Sequence, residues 1–194
     1  MPPTLTNFSG LPGPADRIQG QIHCLKFHTL LGPMLMGEGP SGLVGAWFAD
    51  QRHVPAAAAD WPLRRTPLLA EAQAQIEAYL AGELASFDVP LAPYGTPFQQ
   101  AVWESLRIIP YGQRRTYGDM ARAMDKPSSA RAVGAAVGRN PWSLIVPCHR
   151  VLGSDGRLTG YAGGLQRKQW LLAMEARDGG SQVSGKNSLM TSGS

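Results

Sequence analysis

The residues best equipped for chemistry stand together in Asn140-Pro-Trp-Ser-Leu-Ile-Val-Pro-Cys-His-Arg-Val151. Cys148 is one of two cysteines in the chain, and its neighbour His149 is the sole histidine of the C-terminal half. A thiol attacks as the thiolate, of which a free cysteine holds only about a few per cent at neutral pH. An imidazole and the basic Arg150 beside it would raise that fraction by lowering the thiol pKa. Leu144, Ile145 and Val146 form an apolar run that reads as a buried strand, stopped by Pro147. Such a strand would hold the thiol rigidly at the mouth of the fold. Neighbours on extended backbone point to opposite faces, so His149 is not expected to touch the sulfur directly. Activation should then run through a water or a sharp turn. The competing role for any such cysteine is that of a small buried hydrophobe.

A second group, His23, Cys24 and His28, has metal-binding residue types. Alternation along a strand would split His23 from Cys24, and no fourth ligand is apparent, so a structural or surface role is expected and no metal. The composition is that of a soluble globular chain, 43% hydrophobic and 16% charged, with a net charge of +4 that permits a polyanionic partner. Two distant cysteines without a signal peptide point to a reducing, cytoplasmic setting rather than a disulfide framework. No apolar run approaches the roughly 18 residues of a membrane span.

The elements that must position Cys148 can be read in order. Residues 1–20 are rich in Pro, Gly and polar residues and read as a flexible arm. Three strand-like segments between Ile22 and Phe48, parted by turns at Gly32-Pro33 and Gly39-Pro40-Ser41-Gly42, predict an antiparallel meander. After a loop over 55–67, Leu68 to Leu80 reads as an amphipathic helix with Leu69, Ala72, Ile76, Tyr79 and Leu80 inward and Gly82 just past its end. Its expected role is to pack on the sheet, giving a small α+β unit without chemistry of its own and, with its linker, a domain over 21–93.

The second domain, over 94–178, is mostly helical. Thr96-Pro97 and Thr116, with Asp119 three positions on, are helix-start signals. A short helix to about Met124, the Asp125-Lys126-Pro127 turn and a helix over 129–137 make a helix-turn-helix candidate. The second of these helices is opened by Ser128 and built from Ala130, Ala132, Gly134, Ala135 and Ala136, with Arg131 near its start. Lacking the long polar side chains of a major-groove reader, it suits shape and backbone contacts in a narrow groove, with one arginine as a probe. The loop Thr159-Gly-Tyr-Ala-Gly-Gly164 lets a substrate approach the backbone but lacks a phosphate-binding spacing. Leu165 to Ala176 reads as a final helix carrying Glu175, and 179–194 as a disordered tail.

Pro147-Cys-His-Arg-Val151 resembles the active-site signature of the O6-alkylguanine-DNA alkyltransferases, and the resemblance runs from about Thr96 to Glu175. It includes Phe98-Gln-Gln-Ala-Val-Trp103, Ile109-Pro-Tyr-Gly112, Ala130-Arg-Ala-Val-Gly134, Arg139-Asn-Pro141, Gly160-Tyr-Ala-Gly-Gly-Leu165 and Trp170-Leu-Leu172. The resemblance implies a ribonuclease-H-like N-terminal domain with an antiparallel sheet and a winged-helix-like C-terminal domain. It implies a cofactor-free repair protein that moves an alkyl group from O6-alkylguanine, and from O4-alkylthymine, in double-stranded DNA to Cys148, once per molecule. By the same resemblance His149 would be the base, acting through a bridging water and oriented by Glu175. Asn140 would tie the helix-turn-helix to the active-site segment, and Tyr117 would help rotate the lesion out and protonate the departing guanine. Arg131 would fill the vacated stack from the minor groove. Ser129, Ala130, Ala132 and Gly134 would line the DNA, and Val151, Tyr161, Ala162 and Gly163 the guanine pocket.

Two departures accompany the resemblance. Ala162 stands where some relatives have a serine facing the lesion, and the zinc site of some animal members has no counterpart, which fits a bacterial type. A monomer is expected in solution, with cooperative assembly on DNA left open. Two rivals remain to be weighed: a non-catalytic alkyltransferase-like lesion binder, which typically replaces the acceptor cysteine, and a cysteine hydrolase, which would need an oxyanion hole that the sequence does not display.

Overall fold

A computed structural model of the chain describes residues 21–92 and 94–184, the last seven by backbone alone. The predicted arm over 1–20, Pro93 at the end of the predicted linker, and the tail beyond 184 lie outside these residues. The fold is mixed α and β, with a small antiparallel sheet and five α-helices among the described residues.

Strands β1 (His23–Thr29), β2 (Gly32–Gly39) and β3 (Gly42–Phe48) form the expected meander, in spatial order β1-β2-β3. The first hairpin turns at Leu30-Leu31, two residues earlier than Gly32-Pro33 suggested. The Thr29 hydroxyl makes this turn by donating to the Gly32 carbonyl at 2.8 Å and accepting from the Leu31 amide. Pro33 therefore sits inside β2, opposite His28, near the strand start where its missing N–H is tolerated. One sheet face packs on α1 (Pro67–Leu80); the other covers a smaller cluster of Ile22, Cys24, Leu35, Val44 and Trp47. Cys24 is buried in that second cluster, its thiol directed at the Trp61 carbonyl.

Helix α1 begins one residue before the predicted start, with Thr66 as N-cap and Pro67 in the first turn, and all five predicted inward residues are buried. Thr96 and Thr116 form capping boxes with Gln99 and Asp119, opening α2 (Pro97–Arg107) and α3 (Tyr117–Ala123). A left-handed Asp125 and a single 3-10 turn, Pro127–Ser129, join α3 to α4 (Ala130–Gly138) and complete the helix-turn-helix. Trp103 of α2 donates its indole N–H to the Ala136 carbonyl at 2.9 Å, which pins α4 from behind. Two-residue strands β4 (Arg115–Thr116) and β5 (Val151–Leu152) pair in parallel, and α5 (Leu165–Ser184) closes the chain. α5 runs eight residues beyond the predicted end at Ala176, six of them past the predicted start of the tail.

One apolar cluster extends from Met34, Met36 and Phe48 of the sheet through Leu69, Ile76 and Tyr79 of α1 to Val102, Leu106, Val133, Leu171 and Met174. The sheet unit and the helical half thus share a core. Among the described residues no helix is long and apolar enough to cross a membrane.

Candidate functional site

The segment leading to Cys148 is not the predicted strand. Residues 142–146 make a tight turn, closed by the Val146 amide on the Trp142 carbonyl at 2.9 Å, with Leu144 at φ 72°. The cause is Asn140. Its amide nitrogen lies 2.9 Å from the Val146 carbonyl and 3.2 Å from that of Trp142, while its oxygen accepts the Trp142 amide, so the chain folds around this side chain. β3 anchors the turn from outside: Ala46 exchanges backbone hydrogen bonds with Pro141 and Ser143, and the Trp142 indole donates to the Leu43 carbonyl at 2.7 Å. Past Pro147 a single 3-10 turn, Cys148–Arg150, replaces the expected extended backbone.

Cys148 is only 5% exposed, and its Sγ accepts from Asn140 Nδ2 at 3.1 Å. Burial pushes its thiol pKa up. The Asn140 amide, the Lys168 charge and the backbone N–H groups of Cys148 and His149 work in the opposite direction. The expectation that Arg150 would lower this pKa is corrected. The Arg150 guanidinium is committed to Glu175 through Nε and Nη2, to the Ile109 carbonyl at 2.6 Å, and to the face of the Tyr111 ring.

His149 is fully buried. Its Nε2 lies 3.0 Å from Glu175 Oε1 and 3.2 Å from the Tyr79 hydroxyl, and its Nδ1 has no hydrogen-bond partner among the described residues. Burial holds the imidazole pKa below its ordinary value despite Glu175, so the ring is neutral at neutral pH. Glu175 resists its own burial: the His149 hydrogen bond and Arg150 bring the carboxyl down to about 2, and it is ionised. The Tyr79 hydroxyl donates to Oε1 at 2.6 Å and the Gly112 amide to Oε2 at 3.2 Å.

Two residues of this cluster were not anticipated as functional. Tyr79 belongs to α1, so the sheet unit does contribute to the site and is not without chemistry. Lys168 of α5 is fully buried, with Nζ donating to the Val151 carbonyl at 2.5 Å and the Thr159 carbonyl at 2.7 Å. Burial pushes its pKa down to about 8 against the pull of Cys148. A signal for it existed: Lys168, Leu171, Leu172 and Glu175 fall on one helical stripe, which places two charged residues on a face meant for the core.

The other predicted residues divide into those near the thiol and those at a distance. Val151 opens β5 directly after the 3-10 turn, and Tyr161 is buried with its ring 6.5 Å from that of His149. Gly163 is pressed between Tyr161 and Phe48, where a Cβ would come within 2.9 Å of both rings. The Ala162 carbonyl accepts the Arg52 amide, so this part of the loop faces the sheet unit. A cleft of about 640 Å³ lies there, lined by Tyr161, Ala162 and Gly163 together with Asp50, Arg52 and Arg167, but not by Cys148. Tyr117, half-buried, rests against Gly134 and reaches the Gly160 carbonyl at 3.4 Å. On α4, Arg131 and Ala132 are exposed, Ser129, Ala130 and Gly134 are partly covered, and Ala136 belongs to the core.

A helix-turn-helix thus shares one core with a sealed thiol, a neutral histidine and an ionised glutamate. A family model for the 6-O-methylguanine DNA methyltransferase DNA-binding domain matches residues 97–177. A methylated-DNA–protein-cysteine methyltransferase of Methanosarcina acetivorans is 47% identical over 77% of this chain and 95% of its own length. One of Mycobacterium leprae is 46% identical over 79% of this chain and 92% of its own. The crystal structure of Mycobacterium tuberculosis OGT in complex with DNA superposes with a TM-score of 0.75 and 43% identity, covering 80% of this chain and 94% of that one. The chain belongs to the methylated-DNA–protein-cysteine methyltransferase family.

Proposed function

We propose that this protein repairs DNA directly, moving the alkyl group of O6-alkylguanine, and of O4-alkylthymine, onto Cys148. The observation that carries the reading is a thiol held by Asn140 at 3.1 Å, with a neutral His149 and an ionised Glu175 in the same buried cluster. The thiol proton passes through a bridging water to His149, and Glu175 holds the imidazolium so formed. The thiolate attacks the alkyl carbon, the C–S bond forms as the C–O6 bond breaks, and the electron pair leaves with guanine. Tyr117 supplies a proton to the departing base and recovers one from the site, so the net transfer is from thiol to guanine. The product thioether has no good leaving group, and each molecule acts once.

The reacting oxygen is hidden in a duplex, so the base must be turned out at a cost of about a few kcal/mol. On this reading α4 enters the minor groove, with Ser129, Ala130, Ala132 and Gly134 close to the DNA. Arg131 fills the gap in the stack, and Val151, Tyr161, Ala162 and Gly163 bound the extruded base. The same reading includes a ribonuclease-H-like unit over 21–93, a winged-helix-like unit over 94–178, a monomer in solution and a cytoplasmic setting. The presence of Cys148 speaks against a non-catalytic lesion binder.

The test is intact mass after exposure to a lesion duplex. One alkyl group per chain, mapped to Cys148 and absent from Cys148→Ala, is expected. Multiple turnovers, or an adduct on Cys24, would sink the proposal.

A further inference from the structure

The Tyr79 hydroxyl has one hydrogen and two close neighbours, and counting that hydrogen determines a catalytic detail. Glu175 is ionised and only accepts, so the 2.6 Å contact takes the phenol hydrogen. At 3.2 Å from His149 Nε2 the phenol oxygen is then left as an acceptor. Glu175 Oε1, 3.0 Å from the same nitrogen, is an acceptor as well. Two acceptors converge on Nε2, and the opposite tautomer would set its lone pair against both oxygens in a buried site. The hydrogen belongs on Nε2, which leaves the buried Nδ1, without a protein partner among the described residues, as the basic nitrogen.

We infer that Tyr79 is a positioning residue of the thiol-activating network, supplied by α1 of the sheet unit to fix the tautomer and orientation of His149. The inference rests on the transfer reading above. Tyr79 is well placed for such a role. It is fully buried, its ring lies 5.1 Å from Phe87 and meets Tyr111 edge-on at 6.0 Å, and it stands 70 residues from His149 in sequence. It also gives the sheet unit a function in the reaction, since a chain lacking α1 would keep Cys148, His149 and Glu175 but lose this contact. Glu175, Arg150 and Lys168 act on the charge of His149, and Tyr161 meets its ring edge-on at 6.5 Å.

Tyr79→Phe keeps the ring and its packing while removing the hydroxyl. Nitrogen-15 NMR of histidine-labelled protein reads which ring nitrogen of His149 carries the hydrogen. The unsubstituted protein should show a bare Nδ1 and a protonated Nε2, and Tyr79→Phe a shifted Nε2 resonance, as Glu175 alone then holds the hydrogen. Single-turnover transfer from a lesion duplex should slow about tenfold, as for one lost hydrogen bond to a charged group. Affinity for that duplex should stay within about twofold, because α4 is untouched. A protonated Nδ1 in the unsubstituted protein, an unshifted Nε2 resonance in Tyr79→Phe, or a shifted resonance with an unchanged rate would each overturn the inference. The NMR arm is independent of whether alkyl transfer occurs, so failure of the transfer reading would be seen separately, as no adduct on the unsubstituted protein.

Discussion

α4 and α5 carry charge in opposite ways. α4 is built from small residues, buries only Val133, Ala136 and Val137, and presents Arg131 to solvent. α5 buries Lys168 and Glu175 along with its core residues Leu171 and Met174. An exposed guanidinium on a smooth helix is screened by water and contributes to the fold weakly, which on the proposed reading leaves Arg131 for the DNA. A buried charge is costly unless it is paired, and the pairing that relieves the cost also sets the protonation of its neighbours. On the proposed reading the difference separates recognition from chemistry: the exposed positions of α4 should be alterable without disturbing the thiol, whereas the buried face of α5 should not.

The largest break in this contrast should come from Glu175→Gln. The substitution leaves Arg150 buried without its counter-charge and replaces the carboxylate that holds His149 and Tyr79 with a neutral amide, whose single oxygen is a weaker acceptor. Removing one partner of a buried pair costs about 3–5 kcal/mol, so a large drop in denaturant midpoint is expected together with loss of transfer. The pH dependence has a definite sign. Glu175 has a folded pKa of about 2, below the roughly 4.3 of an unfolded glutamate. Its stabilisation is complete above about pH 4.3 and fades as the pH falls toward 2. The stability gap between the parent and Glu175→Gln should therefore close on acidification through that window. A gap that stays constant to pH 2 would place the carboxylate outside the network.

Much of the scaffold around these helices was legible because its signals are local. Thr96 with Gln99 and Thr116 with Asp119 form capping boxes within four residues, and the inward stripe of α1 needs only a helical period. The misreadings share a different cause. Leu144-Ile145-Val146 has strand composition, but Asn140 and β3 bend it into a turn through contacts that composition does not carry. Arg150 stands two residues from Cys148 in sequence yet is drawn to Glu175, 25 residues on. Tyr79 was correctly placed inward, but its hydroxyl partners lie 70 and 96 residues away. A buried tyrosine oxygen nonetheless requires a partner, and that was the readable clue.

Arg131→Ala should sharpen the contrast from the other side. Arg131 is exposed and has no carboxylate within salt-bridge distance among the described residues, so folding stability should change by no more than about 0.5 kcal/mol. Repair of a lesion in duplex DNA should fall about tenfold or more, because the extruded state loses the residue that fills the stack. Transfer from free O6-alkylguanine, which needs no extrusion, should be nearly unchanged. Equal losses on both substrates would remove Arg131 from that role and leave α4 as backbone contact alone.

The smallest expected effect, and the most specific, belongs to Lys168→Met. Methionine keeps an unbranched chain of similar length, so packing among Val151, Thr159 and α5 is largely retained, while the charge disappears. The Lys168 ammonium favours the Cys148 thiolate, so its loss should move the pH midpoint for alkylation of Cys148 by iodoacetamide upward and slow transfer at neutral pH by about tenfold. Lys168 itself titrates near 8, so it carries its charge below that pH and loses it above. The difference between parent and variant should therefore be full at pH 6 to 7 and narrow as the pH rises past about 8. Lost packing alone would give a difference that does not depend on pH. A constant offset across that range would make Lys168 a tether for the Val151 and Thr159 carbonyls and nothing more, whereas a narrowing one requires its charge.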